Sequence, residues 1–264
     1  MNRKQHFRTH VQGESLESQI NLLYDKITEI LLLPIVIFVA TIFICMIYIG
    51  VLKVEFLTVV FLLILLVVFS IRAFFKIKKL HRQIWHYRKG LDGERYVGSM
   101  LEKISSNKTF IFHDIVCEKQ NNGKIVKFNI DHVVISTKGI FTIDSKNWSL
   151  PDREYNQADF VFKDGELFDS TGVLQKDLMD KIDSQGKWLE DKIHEWINQR
   201  IPVYRVGIMI GAYVKNVNKD FSKFWIVNDS AFAGLFDREK EKMPMQDVLR
   251  ISDSIRRFVE KPIK

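Results

Sequence analysis

The chain has 264 residues, 39 Lys and Arg against 32 Asp and Glu, a formal charge of +7 and 47% hydrophobic residues, enough for one ordinary domain and an appendage. Its two cysteines, Cys45 and Cys117, give no disulfide framework, as expected of a reducing compartment. The basic excess is not a nucleic-acid signature, because residues 1–87 hold 10 Lys/Arg and 5 Asp/Glu while residues 88–264 hold 29 and 27. Most of the surplus flanks apolar segments, where it also suits anionic lipid head groups.

Residues 1–30 read as a polar N-terminal segment, with an amphipathic spacing at Leu16, Ile20, Leu23, Ile27 and Ile30 that suits a short interfacial helix. "LLLPIVIFVATIFICMIYIGVL", residues 31–52, carries no charge and is long enough to span a bilayer. A second apolar run begins at Val54, and we take the two spans as 31–52 and 54–75, with Lys53 and Glu55 at the tip of a tight hairpin. Runs apolar on every face are not those of soluble core helices. A cleaved signal peptide does not fit, because the first run starts deep and a second follows at once. Arg3, Lys4 and Arg8 precede the first span, and Arg72, Lys76, Lys78, Lys79 and Arg82 follow the second. Positive flanks stay cytoplasmic, so both termini are expected on that side of the membrane. Residues 76–89 form a basic juxtamembrane connector, expected to continue the second span as helix.

From residue 90 to 264 the pattern changes to that of a mixed α/β domain. "GLDGERYVGSMLEKIS" has helical spacing, and "FIFHDIVCE", "KFNIDHVVIS" and "GIFTIDSKN" read as strands joined by "NNGK" and "TKG". "DFVFKDGELFD" predicts a hairpin about Asp164-Gly165, and residues 173–199 a long helix interrupted near Gly186. "VYRVGIMIGAYV" and "FWIVN" read as strands, and "MPMQDVLRISDSIRRFVE" as a closing helix. Such an order gives a sheet flanked by helices.

The string "FNIDHVVISTKGIFTIDSKNWS" places an acid on each of two apolar strands. Asp144 and Lys146 share a face, since side chains two apart on a strand point the same way. Pairing Ile135 with Ile140 sets Asp131 opposite Asp144, so both carboxylates and the lysine fall in one patch. A one-residue slip would scatter them. Two such carboxylates suit a hard divalent cation that keeps several waters. The same three groups also suit a structural ion-pair cluster, and the residues alone leave both readings open.

An acid on one strand followed by Asp/Glu-x-Lys on the next resembles the core of the PD-(D/E)xK nuclease superfamily. More narrowly, "GLDGERYVGSMLEKI" followed by the hairpin string is similar to the nuclease-related domain, the NERD family, over roughly residues 88–215. The resemblance implies a restriction-endonuclease-like α/β fold with a mixed sheet flanked by helices, preceded here by a transmembrane helical hairpin. It implies Mg²⁺ or Mn²⁺ as cofactor, Asp131 and Asp144 as metal ligands, and Lys146 as the catalytic lysine. Glu94 matches the helix glutamate of the metal site, Asn147 the residue after the lysine, and Gln185 the family glutamine, with Gln175 as its rival. The chain departs from the family at Asp144, where Glu is usual; the side chain is one methylene shorter, which bears on metal affinity and turnover rather than on fold.

Other readings stand beside these. Glu94 is expected in the first turn of its helix, where a carboxylate also serves the helix dipole. His132 should point away from Asp131 and pack, and His113 and His194 read as isolated. Cys117 reads as a buried small side chain, and Trp188, Trp196 and Trp225 as packing residues. No GxGxxG or GxxxxGK[ST] phosphate loop is present. The expected function is a metal-dependent nuclease tethered to the inner face of a bacterial-type plasma membrane, acting on DNA in preference to RNA. The alternatives are a catalytically inactive, membrane-anchored nucleic-acid-binding or scaffold module of the same fold, and a structural membrane protein with a protein partner.

Overall fold

Long unbroken apolar helices bury little of their surface within a small chain. The computed structural model describes residues 11–50, 56–121, 123–148, 158–217 and 221–260. These divide into two compact units, one within residues 15–89 and one of residues 11–14 with those from 90 onwards. The basic residues Arg3, Lys4 and Arg8 and the expected hairpin tip at Lys53 and Glu55 lie outside the described residues.

In the first unit, α1 (Glu14–Gly50) absorbs the expected interfacial helix and first span into one element, passing through Pro34 without a break. The second helix, α2 (Phe56–Ile104), joins the second span, the basic connector and the "GERYVGSMLEKI" segment into 49 residues of continuous helix. Both are long and apolar enough to cross a membrane, and almost none of either apolar window is buried. That exposure separates them from soluble core helices of similar composition. Near their polar ends they are packed: Ile20, Leu23 and Ile27 of α1 and Ala73 and Ile84 of α2 are buried, and Arg88 donates to the Tyr24 hydroxyl at 2.7 Å.

The second unit is built on a five-stranded sheet. Strands β1 (Thr109–Asn121), β2 (Lys124–Ser136), β3 (Gly139–Asn147), β6 (Val203–Ile210) and β8 (Phe224–Asn228) lie side by side in that order. The first three are antiparallel neighbours, and β6 and β8 add in parallel, giving a mixed sheet. On one face α3 (Lys176–Ile197) and α5 (Met245–Val259) bury Trp188, Leu189, Ile193, Val248 and Ile251 against Val133, Ile135 and Ile140. On the other, Val97 and Leu101 of α2 and Phe232 and Phe236 of α4 (Asp229–Arg238) pack on Val134, Phe141, Ile143 and Trp225. Trp188 and Trp225 are core residues, as their spacing suggested, and Trp196 packs at the edge of the first core.

Four expectations need correction. The helix expected to break at Gly186 is continuous, because the glycine serves approach rather than interruption: a Cβ there would lie 2.6 Å from Cγ of Arg205. Arg205 is pinned by Asp183 at 3.0 Å and Glu190 at 2.8 Å, so it cannot retreat easily. The long strand expected after residue 203 ends at Ile210, where Gly211 turns the chain at φ 68° into β7 (Val214–Asn216). That short strand joins β4 (Phe160–Lys163) and β5 (Glu166–Asp169) in a second, three-stranded sheet that the pattern did not reveal. The hairpin between β4 and β5 does turn at Asp164 and Gly165, both with positive φ. Finally, α4 went unrecognised although its N-cap signal is present: Asn228 accepts a hydrogen bond from the Ala231 amide at 2.9 Å.

Glycine at 186 is therefore a packing requirement. Gly186→Ala should lower stability by about 1–3 kcal/mol through overpacking, exceeding the gain in helix propensity of up to about 1 kcal/mol. Chemical denaturation of the intact chain in detergent would check this; a stabilised variant would show that Arg205 yields freely.

Candidate active site

The pairing of β2 with β3 runs Ser136↔Gly139, Ile135↔Ile140, Val134↔Phe141, Val133↔Thr142 and His132↔Ile143, the register inferred from the sequence. The ladder stops one step short of the acids. Asp131 does not pair through its backbone. Instead its carboxylate Oδ2 accepts the Ser145 amide at 2.9 Å and the Ser145 hydroxyl at 3.1 Å, capping the point where the strands part.

The first pair of strands breaks at the same place. His113↔His132 and Ile115↔Ile130 are paired, but the intervening step of Asp114 and Asp131 is skipped, and Asp114 adopts φ 49°. Phe112 and Ile115 face the same core, as do Ile130 and Val133, so both strands change face across this step. Irregularities of this kind re-aim side chains. The regular register of β2 on β3 sets Asp131 towards Asp144, and the change of face begins just beyond it at Ile130.

Asp144 is wholly buried in the middle of the sheet and Asp131 is nearly so. Lys146 Nζ lies 3.0 Å from Asp144 Oδ2, with a side chain 29% exposed, so the ammonium is half-buried beside the acid. Lys146 is the ion-pair partner of that oxygen. A second lysine completes the cluster. Lys181, from α3, donates to Asp144 Oδ1 and stands 4.0 Å from Asp131 Oδ1. The sequence reading missed it, although Lys181 lies one helical turn before Gln185 on the same face, a spacing that brings side chains together.

The other motif residues surround this cluster. Glu94 is brought near Asp131, Asp144, Asp114 and Lys181, but from the interior of α2. The helix-start reading for Glu94 is thus corrected: the helix begins at Phe56, so there is no terminal dipole for it to serve. Gln185 is buried, donates to the Asn129 carbonyl at 2.8 Å and leaves Oε1 without a partner among the described residues. Gln175, its rival, lies away from the cluster and bonds Asp169 at 3.0 Å. Asn147 packs where α2 meets β3, close enough that a Cβ on Gly93 would touch its own at 2.9 Å.

His132 does turn to the opposite face. There its Nδ1 meets Nδ1 of His113 at 2.8 Å, so His113 is paired rather than isolated. One ring nitrogen of that contact must donate and the other accept. Burial, with His113 beside it, holds the His132 imidazole well below its ordinary range and therefore neutral. Burial likewise raises the Cys117 thiol, so the thiolate is suppressed and Cys117 is a packing residue.

Electrostatics follow from three acids and two lysines in a small volume. Burial, reinforced by Asp131, Asp114 and Asp144, pushes Glu94 up to about 9. Burial and the neighbouring Asp144 push Asp131 up to about 6. Burial acts on Asp144 too, but Lys181 and Lys146 outweigh it and hold that carboxyl below its usual range. Burial opposes the charge on Lys181, yet Asp131 and Asp144 keep its ammonium well above the ordinary value. At neutral pH Glu94 carries a proton, and two carboxylates face two ammoniums.

The donors suit a hard divalent cation: they are carboxylate oxygens, with Asp144 Oδ2 facing Lys146 and Oδ1 facing Lys181. The acids do not by themselves make a closed ligand set, for no three His, Cys, Asp or Glu side chains meet at ligand spacing among the described residues. The space between the acids is held by Lys181.

Residues 89–210 match the family model of the nuclease-related domain, NERD. No curated protein and no solved structure matches the chain.

The proton on Glu94 has a signature in stability. The folded state keeps a proton that the unfolded chain, with an ordinary glutamate value of 4.5, releases. Its stabilisation is complete below that value and drains away as pH rises towards 9. Glu94→Gln cannot ionise, so its stability relative to the parent should grow between pH 5 and pH 9. Denaturation midpoints measured across that range test this; parallel curves would mean that Glu94 is ionised throughout.

Proposed function

We propose that this chain, which carries a nuclease-related domain at residues 89–210, is a membrane-tethered, metal-dependent nuclease that hydrolyses phosphodiester bonds of DNA or RNA. The observation that supports the reading best is the convergence of Asp131, Asp144 and Lys146 at the step where β2 and β3 part. In this reading Asp131 and Asp144 hold Mg²⁺ or Mn²⁺, with Glu94 as the third oxygen donor. A bound divalent ion would stabilise charge on the phosphate and acidify a water. Lys146 positions the attacking water beside Asp144 and neutralises charge on a non-bridging phosphate oxygen. Asp131, by fastening Ser145, fixes the strand that presents both Asp144 and Lys146. Gln185, held by the backbone just before Asp131, supports the same strand from α3.

Tethering rests on the two exposed apolar helices, and the flanking Lys and Arg support a cytoplasmic domain. Protease treatment of sealed right-side-out vesicles should leave residues 90–264 intact, and their digestion would reverse that orientation. DNA is the favoured substrate over RNA, and the domain's near-neutral charge means that binding must rely on local lysines.

A second reading has its own observation. The acids are already neutralised by Lys146 and Lys181, as expected of a catalytically silent nucleic-acid-binding or scaffold module. Incubating the full chain in detergent micelles with single- and double-stranded DNA and with RNA separates the two. A nuclease should cleave with Mn²⁺ or Mg²⁺ and stop with chelator. Lys146→Ala and Asp131→Asn should each reduce the rate by roughly 10²–10⁴-fold without altering circular dichroism. Unchanged cleavage in both variants would place the chemistry elsewhere.

A further inference from the structure

A lysine that sits where a metal would sit has two uses: to replace the ion or to compete with it. Lys181 Nζ bonds Asp144 Oδ1 and faces Asp131 Oδ1 at 4.0 Å, so it stands against the two carboxylates that the metal reading assigns to the ion. Lys146 takes the remaining oxygen of Asp144, at 3.0 Å. A divalent ion needs oxygens at about 2.0–2.6 Å, and an ammonium on the same oxygen adds like-charge repulsion in a partly buried setting. Both cations cannot share Oδ1 of Asp144.

The two lysines differ in their freedom to leave. The Lys146 side chain is 29% exposed and projects from the strand that carries Asp144, so its neighbour is fixed. The Lys181 side chain is 43% exposed and reaches the acids from a different element, α3. One turn earlier on that helix is Asp177, exposed and placed four residues N-terminal to the lysine, the favourable order for a helical ion pair. A displaced Lys181 ammonium thus has both open solvent and a new partner within one turn.

We propose that Lys181 is a built-in competitor for the divalent cation, holding Asp131 and Asp144 together when the ion is absent and swinging towards Asp177 when it binds. The proposal takes its metal from the nuclease reading, but it concerns binding and not turnover. In the ion-free state the lysine spares two buried carboxylates from mutual repulsion. In the loaded state it leaves Lys146 as the only ammonium at the acids. Metal affinity is then set by the difference between two cations for one pair of oxygens, and Lys181 tunes it downward.

Mn²⁺ titration of the full chain in detergent micelles, at fixed pH, tests this by calorimetry and by the paramagnetic resonance of bound Mn²⁺. Lys181→Met should bind Mn²⁺ roughly tenfold or more tightly than the parent, the scale on which one nearby charge alters a carboxylate's affinity for a cation. Lys181→Arg should bind no more tightly, and Asp144→Asn should abolish binding in both backgrounds. A Lys181→Met chain that folds and binds equally or less well overturns the proposal, as does binding that survives Asp144→Asn. Should Lys181→Met fail to fold, amine-reactive labelling of the parent chain decides the matter: Mn²⁺ should increase modification of Lys181, and unchanged modification overturns the proposal. Neither readout needs cleavage, so a chain that binds in this way yet cuts nothing defeats the nuclease reading alone.

Discussion

A carboxylate with no exposure in the middle of a sheet must be met by positive charge or give up its own. Asp144 is that carboxylate, and the domain supplies cations from two directions: Lys146 from its own strand and Lys181 from α3. Removing one partner of a buried ion pair is strongly destabilising, on the order of 3–5 kcal/mol, because the other charge remains. The position of α3 against β3 and the register of β3 against β2 are therefore bound to one electrostatic requirement. Arg205 repeats the logic nearby, tying α3 to β6 through Asp183 and Glu190 while its stem fills the space that Gly186 leaves open.

The same crowding explains the neighbours. Burial first, and then the negative charge of neighbouring acids, pushes Asp131 and Glu94 towards their protonated forms. Charges that push neighbouring acids apart in pKa are common where chemistry is performed, though structural networks do the same. The cluster thus ties the pairing of strands and helix to the charge balance of the same side chains.

Much of this was legible in the sequence where the signal is local. The apolar runs "DHVVIS" and "GIFTIDSK" and the short turn between them favour the β2–β3 register that the structure shows. The joining of the second span, the connector and the Glu94 segment into a single helix was only half legible: helical spacing marks each piece, but nothing local says that α2 does not pause at residue 90. The fifth charged member of the site was not legible at all. Lys181 lies 37 residues beyond Asp144 on an amphipathic helix whose exposed lysines look alike until the fold brings one of them to the acids. Similarly, β7 and the small sheet depend on a pairing with β4 that no local pattern announces.

The skipped step at Asp114 and Asp131 has one more consequence. Because both strands change face there, the hairpin beyond it, residues 115–130, follows an opposite frame of alternation from the portion that enters the central sheet. The outer arm is a separately phased extension. The irregular step thus separates the phase of the outer arm from that of the strand segments that carry the acids.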